Sequence, residues 1–481
     1  MKPRPYSAPG ALRTVIITGG IGASILFVLV GVTCRLQLFG DGSIFSYAVA
    51  AQDAWAFHWH NISGRLFTYF LAYPLAEAVV AMSQNAEAGI AVYGILFFSA
   101  QLFGLALTFA VDRTSNRTIF IYACLSTVCL CPFVYGFPTE MWMAHAVFWP
   151  TLALSLGSSI SWSGAAAVFA ALLALVFTHE GAIVLSAVII FALLLRGWRD
   201  AKFVRMLCVF LAVLVIWGIV KQMTRPDDYI AGVLAAAAFK IIDIRNLAQP
   251  AFVLVLAALL GYAGLIWLLR WMNPPKSQVF AAAICAATLG IYWIKFDHSV
   301  LTDARYDLRT LLLIMTAVFG ILAAVHAMND AERRSSWFPP LARWTMAIEA
   351  IVNPGVIAGA LLLTILVHTV ETSKFVLAWR NYGDAVRALA TGTASDPQLG
   401  SPLLVSSRRI GIELNRVAWN STTPYLSVLV APRLAPTRLV VDPDAGYFWL
   451  SCQTARQSEA SSTAVPAATR RLVRIYACLH R

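Results

Sequence analysis

Long apolar runs, following one another with few charges inside them, constrain this chain more than any other feature of its sequence. A helix needs about 20 apolar residues to cross the roughly 30 Å hydrocarbon core of a bilayer. Inside that core only helices and closed barrels satisfy their own backbone hydrogen bonds. Runs near 14–34, 90–111, 118–136, 143–159, 163–178, 181–196, 206–221, 250–269, 278–294, 310–328 and 346–370 predict eleven spans. Of the 481 residues, 59% are hydrophobic and 12% charged, about half the charged share of a soluble domain. No globular interior absorbs that much apolar surface, which excludes a soluble enzyme. No small-residue cleavage motif follows the first run, so the sequence predicts a retained first span rather than a leader.

The net charge of +12 has an explanation that needs no nucleic acid. Cytoplasmic loops of membrane proteins collect Lys and Arg, and no basic stretch interleaved with aromatics forms a base-stacking platform. Charge also decides how the segment LFTYFLAYPLAEAVVAMS at 66–83 is read. It is long enough to span, yet it holds Pro74 and Glu77. If 66–83 does not span, the loops on the side of the N-terminus carry 14 Lys and Arg and the opposite loops, with the C-terminal region left out, 9. If it spans, the split becomes 10 against 13. The first arrangement obeys the positive-inside rule and puts the basic loop RGWRDAKFVR in the cytoplasm. The segment is therefore expected to be a juxtamembrane or re-entrant helix. The protein then sits in a bacterial inner membrane, with its N-terminus cytoplasmic and its C-terminus periplasmic.

From about Glu371 the composition turns polar. The helix-like WRNYGDAVRALATG is followed by the runs PLLVSS, YLSVLVAP and RLVVDP, each broken by turn residues. The expected fold is an all-α polytopic membrane bundle over 1–370, with a small extracytoplasmic α/β domain over 371–481. Six of the eight cysteines lie in or beside apolar runs and read as small buried hydrophobes. Cys452 and Cys478 stand apart, and a disulfide between them is plausible if that region is extracytoplasmic. The pair Cys129 and Cys131 has no second pair, so a metal site is not expected.

Acids and histidines gather in the outer loops of this topology, where desolvating them needs a reason. The first loop carries Asp41, Asp53, His58 and His60 among aromatic residues. Shorter turns carry Glu140 and the pair His179–Glu180. Lys221 and Arg225, like Arg305 and Arg309, are four residues apart and share a face if helical. Each has a second reading. Asp41, beside Gly42, reads as a catalytic carboxylate or as a turn-forming residue past a helix end. Asp53 reads as a site acid or as the solvated face of an interfacial helix, and Glu180 as site-lining or helix-capping. The four cations read as a collar for phosphate or as partners of nearby loop acids. His179–Glu180 lacks the second histidine of a zincin motif.

The pattern resembles the GT-C superfamily of polyprenyl-phosphate-dependent glycosyltransferases. The residues that carry the resemblance are Asp41, soon after the first span, the two candidate juxtamembrane helices at 43–59 and 66–83, and Glu140 in the next outer loop. The Asp-Glu pair of several such families is absent, because Gly42 follows Asp41. The resemblance implies sugar transfer from a lipid-phosphate donor at the outer face, with no metal or other cofactor required. Asp41, Asp53 and Glu140 are its candidate catalytic acids. His179, Glu180, Lys221, Arg225, Arg305 and Arg309 are its candidate substrate-binding residues. A secondary transporter or flippase is the alternative from another class, and an O-antigen ligase or polymerase-like enzyme is a third reading. Apolar mid-span positions argue against the transporter.

Overall fold

Hydroxyl side chains within the apolar helices turn back on their own backbone. Ser24, Thr108, Thr127, Thr151, Ser186, Thr316 and Thr364 each donate to the carbonyl four residues earlier, so none needs water. The fold is that of a computed structural model. It describes residues 9–52, 54–55, 65–130, 139–157, 161–224, 243, 250–297, 308–328, 354–393, 404–415, 417, 419 and 422–442. The main helices are α1 (Pro9–Thr33), α2 (Asp41–Ala51), α3 (Leu66–Ser83), α4 (Ala86–Val111), α5 (Thr118–Leu130) and α6 (Glu140–Gly157). They continue with α7 (Trp162–Val176), α8 (Ala182–Arg196), α9 (Ala201–Thr224), α10 (Pro250–Leu268), α11 (Pro274–Lys295), α12 (Leu308–His326) and α13 (Pro354–Thr391).

Among the described residues, eight helices are long and apolar enough to cross a membrane: α1, α3, α4, α9, α10, α11, α12 and α13. The architecture is that of a multi-pass, all-α membrane protein. The expected count of eleven is not reached on these criteria. The helices α7 and α8 are apolar but have 15 residues each, and α6 is diluted by Glu140, His145 and Pro150.

Small residues let the helices approach closely, the main route to tight packing where lipid offers no hydrophobic drive. A Cβ on Gly20 of α1 would stand 2.7 Å from Cys124 Cα of α5. One on Gly104 of α4 would fall on the Ala146 carbonyl of α6. Gly104→Ala is therefore expected to push α4 off α6 and cost about 1–3 kcal/mol. A drop in unfolding temperature in detergent would register this, and an unchanged midpoint would show that the helix pair slides without cost.

The turn joining α4 to α5 is fastened by Asp112. Its buried carboxylate accepts from the Thr114 and Phe120 backbone N–H groups at 2.8 and 2.9 Å. Mid-depth in the bundle, α4, α5 and α6 share a polar chain that the apolar mid-span expectation did not include. His145 Nε2 accepts from Trp149 Nε1 at 3.2 Å and lies 2.8 Å from Ser126 Oγ. An indole N–H only donates, so the proton sits on Nδ1, which donates to Gln101 Oε1 at 3.1 Å. Gln101 Nε2 donates in turn to Thr127 Oγ1 at 2.7 Å. This chain aligns Gln101, Ser126 and His145 in depth, so the end of α5, the start of α6 and the first half of α4 point to one end of the bundle.

That alignment bears on α3. Its first turn is tied to the turn before α8, with Phe67 N donating to Phe177 O and Thr68 Oγ1 to Thr178 O. From there Tyr73 packs on Tyr93, and the Ala76 carbonyl faces Gly89. Thus α3 lies along the half of α4 that precedes Gln101.

The composition change at Glu371 does not interrupt the chain's helix, for α13 runs unbroken through 38 residues. Beyond it, two three-residue strands, β1 (Leu404–Ser406) and β2 (Leu439–Val441), pair in parallel, as two of the three β-branched runs suggested. The third run is helical: α14 spans Thr423–Val430. Pro424 is pre-set for the first helical turn, and burial of Tyr425, Leu426, Val428 and Leu429 outweighs the strand preference of Val. No broader α/β domain is formed among the described residues, and Cys452 and Cys478 lie outside them.

Candidate functional site

The turn between α1 and α2 delivers Asp41. Trp379 Nε1 of α13 donates to the Cys34 carbonyl at 3.3 Å. Phe39 is wedged edge-on against Phe375 and Trp379, at 4.9 and 5.3 Å between ring centroids. Gly40 then adopts φ 58°, ψ −132°, a conformation closed to side chains with a Cβ. Asp41 is the first residue of α2, yet no side-chain cap is made at this end. Its carboxylate instead pairs with Arg309, at 2.7 Å, on the first turn of α12. The turn-forming alternative for Asp41 therefore does not describe what its side chain does.

A second ionic group lies beside the first. Arg65, just before α3, donates through one terminal nitrogen to Glu140 Oε1 and through Nε to Glu180 Oε2, both at 3.0 Å. Lys221, in the last turn of α9, donates to Glu180 Oε1 at 3.0 Å. The charges of Arg309 and Glu140 act on one another, so the two groups adjoin. Glu140 is fully buried. Its Oε2 has no hydrogen-bond partner among the described residues. An apolar cavity of about 260 Å³ among α3, α4, α6 and α7 is lined in part by Phe67, Leu71, Leu96, Phe103, Met143 and Leu154, and by none of the ionic residues.

The turn between α7 and α8 carries two titratable side chains outside the helices. His179 Nδ1 accepts from the Gly181 N–H at 2.9 Å. Burial, reinforced by the Arg65 charge, pushes the His179 imidazole down to about 3, so its 3.9 Å approach to Glu180 is not an ion pair near neutral pH. Burial would raise the Glu180 carboxyl, but the charges around it, Arg65 foremost, hold it below the ordinary carboxylate range. Both groups are depressed in the fold, so their contributions are complete above the unfolded values and are lost as pH falls. Below about pH 6.5 the unfolded chain takes a proton at His179 that the fold refuses, a loss of about 1.4 kcal/mol per pH unit. Glu180 adds its own loss below about pH 4.5. Stability in detergent is therefore expected to be level above pH 7 and to decline below 6.5. His179→Asn should make the curve shallower by about that slope between 6.5 and 4.5, and a variant curve as steep there as the wild type's would contradict the assignment.

Five of the nine residues expected at the site, Asp41, Glu140, Glu180, Lys221 and Arg309, join these two groups, and His179 lies against them. Asp53, Arg225 and Arg305 lie outside the described residues. The cations are not a ready-made collar, because Lys221 and Arg309 each hold an acid. Arg65, the residue that ties the larger group together, was not anticipated. Its signal was slight: it is one of two basic residues in 35–89. Asp297, from the loop after α11, goes elsewhere and pairs with Lys374 at 2.6 Å. No protein-family model matches this chain, and no curated protein matches it.

Proposed function

We propose that the protein is a multi-pass membrane glycosyltransferase. It moves a sugar from a polyprenyl-phosphate donor to an acceptor hydroxyl at the extracytoplasmic face of a bacterial inner membrane. The observation that carries this reading is the convergence of Asp41, Glu140 and Glu180 with Arg65, Lys221 and Arg309 at one end of an apolar bundle. Six chain segments contribute to it, and the end that bears the basic loop lies opposite. Packing of α3 along half of α4 supports the reading of 66–83 as a helix that does not span. The N-terminus is then cytoplasmic and the C-terminal segment periplasmic.

In this mechanism the acceptor oxygen forms its bond to the anomeric carbon as the bond from that carbon to the phosphate oxygen breaks. Asp41 takes the hydroxyl proton, and the bonding pair leaves with the phosphate. Arg309 and Lys221 stabilise the charge that grows on the phosphate. The free oxygen of Glu140 orients the acceptor. The apolar cavity near Phe67 suits one end of a prenyl chain. The transporter reading draws some support from the mid-depth chain around His145. Every member of that chain is bonded within it, however, which favours a structural role. The test is transfer from labelled polyprenyl-phosphate sugars into membrane acceptors by the purified protein in vesicles. Movement of a labelled solute with no change in any glycan would overturn the proposal.

A further inference from the structure

The basic loop between α8 and α9 takes no part in the site, and it sits at the other end of the bundle. Arg196 and Lys202 both donate to the Leu156 carbonyl in the last turn of α6. Beside it, α7 and α9 start from the same end and leave a groove of about 600 Å³ between them. Its walls include Ala165 and Phe169 of α7 with Val204, Cys208 and Ala212 of α9. It follows α9 from Ala201 to Ala212, which at the helical rise is about 16 Å.

The mouth of the groove differs in character from its walls. Trp162 is 86% exposed and Trp198 54% exposed, the placement of indoles at a membrane–water interface. The Arg205 guanidinium lies 5.7 Å from the Trp162 ring centroid. Among the described residues no carboxylate lies within ion-pair distance of Arg205. Arg199 and Lys202 stand within two turns of it, and the intervening Asp200 spends one carboxylate oxygen on the Lys202 backbone N–H at 2.9 Å.

We infer that this groove is a binding site for an acidic phospholipid, one acyl chain lying between α7 and α9 and the headgroup phosphate resting on Arg205. The combination points to one occupant. A groove that runs along membrane-spanning helices takes a hydrocarbon chain, and basic pockets between such helices bind anionic headgroups. Arg engages phosphate through two parallel N–H groups. Three cations against one acid prefer a headgroup of net negative charge to a zwitterion. The inference rests on the membrane architecture and is independent of the sugar-transfer reading.

Cys208 is a free, exposed thiol on the groove wall and reports occupancy directly. Its alkylation by a maleimide is followed by mass spectrometry of the Cys208 peptide from full-length protein in detergent. Phosphatidylglycerol at ten times its dissociation constant should slow the reaction about tenfold, because only empty sites react. Phosphatidylcholine should slow it little, and soluble glycerol phosphate not at all. In Arg205→Gln the lipid-free rate should be unchanged and the protection largely lost, with Arg205→Lys intermediate. Equal protection by phosphatidylcholine would mean a groove for any acyl chain and overturn the inference. Protection by soluble glycerol phosphate, none by any lipid, or full protection in Arg205→Gln would each overturn it as well.

Discussion

Arg65→Ala is expected to destabilise the protein by about 3–5 kcal/mol, the loss typical of breaking a buried ion pair from one side. The guanidinium serves two carboxylates at 3.0 Å each, and Glu140 is wholly shielded from solvent. Without Arg65, Lys221 still balances Glu180, but the nearest remaining cation to act on Glu140 is Arg309, already paired with Asp41. The stranded charge must then draw in water or take up a proton. Arg65→Lys should recover only part of the loss, since an ammonium cannot present the guanidinium's planar fork to two acids. Arg65→Met with Glu140→Gln is the informative rescue. It removes one charge of each sign, leaves Lys221 with Glu180, and should regain most of the stability. Unfolding followed by tryptophan fluorescence in detergent measures all three. A loss below about 1 kcal/mol in Arg65→Ala would mean the cluster behaves as a surface salt bridge.

What the sequence made legible here, and what it hid, follow from the range of the forces involved. Apolar runs report a local demand, that a backbone in lipid satisfy itself, and each of the eleven anticipated runs coincides in whole or part with a helix or with residues outside the described set. Boundaries set by tertiary packing were not legible. The run from Trp379 to Gly392 read as helix-like, but nothing local announced that it is continuous with the apolar helix before it, a junction where Phe375 and Trp379 meet Phe39 from the other end of the chain. The run YLSVLV looked like a strand for the same reason: its helix is a response to being buried. At the site, charges in the outer loops were enough to nominate Asp41, Glu140, Glu180, Lys221 and Arg309. Pairing was another matter. Arg65 lies 75 residues from Glu140 and 115 from Glu180, and a lone arginine in a long loop carries no mark of such partners. The polar chain around His145 was missed because glutamine, serine and threonine at single positions barely disturb a hydropathy profile.

Asp41→Asn is expected to lower sugar transfer by about 10²–10⁴-fold, the contribution of a positioned general base, and to do so with little effect on folding. The carboxylate is 27% exposed, and an amide oxygen still accepts from Arg309, so stability should change by about 1 kcal/mol or less. This separates Asp41 from Arg65, whose loss should weaken fold and activity together. An asparagine cannot take the acceptor proton, so the fall belongs in kcat, with KM for the donor nearly unchanged. Asp41→Glu keeps the base but moves it by one methylene. Because Gly40 and the Phe39–Trp379 contact hold the backbone in place, the longer side chain should restore only part of the rate. The comparison also tests the neighbouring acid. If Glu140 orients the acceptor through its unbonded oxygen, Glu140→Gln should raise the acceptor's KM more than it lowers kcat. Undiminished transfer by Asp41→Asn would remove that residue from the chemistry, and an equal fall in stability would reassign it to holding α2 against α12.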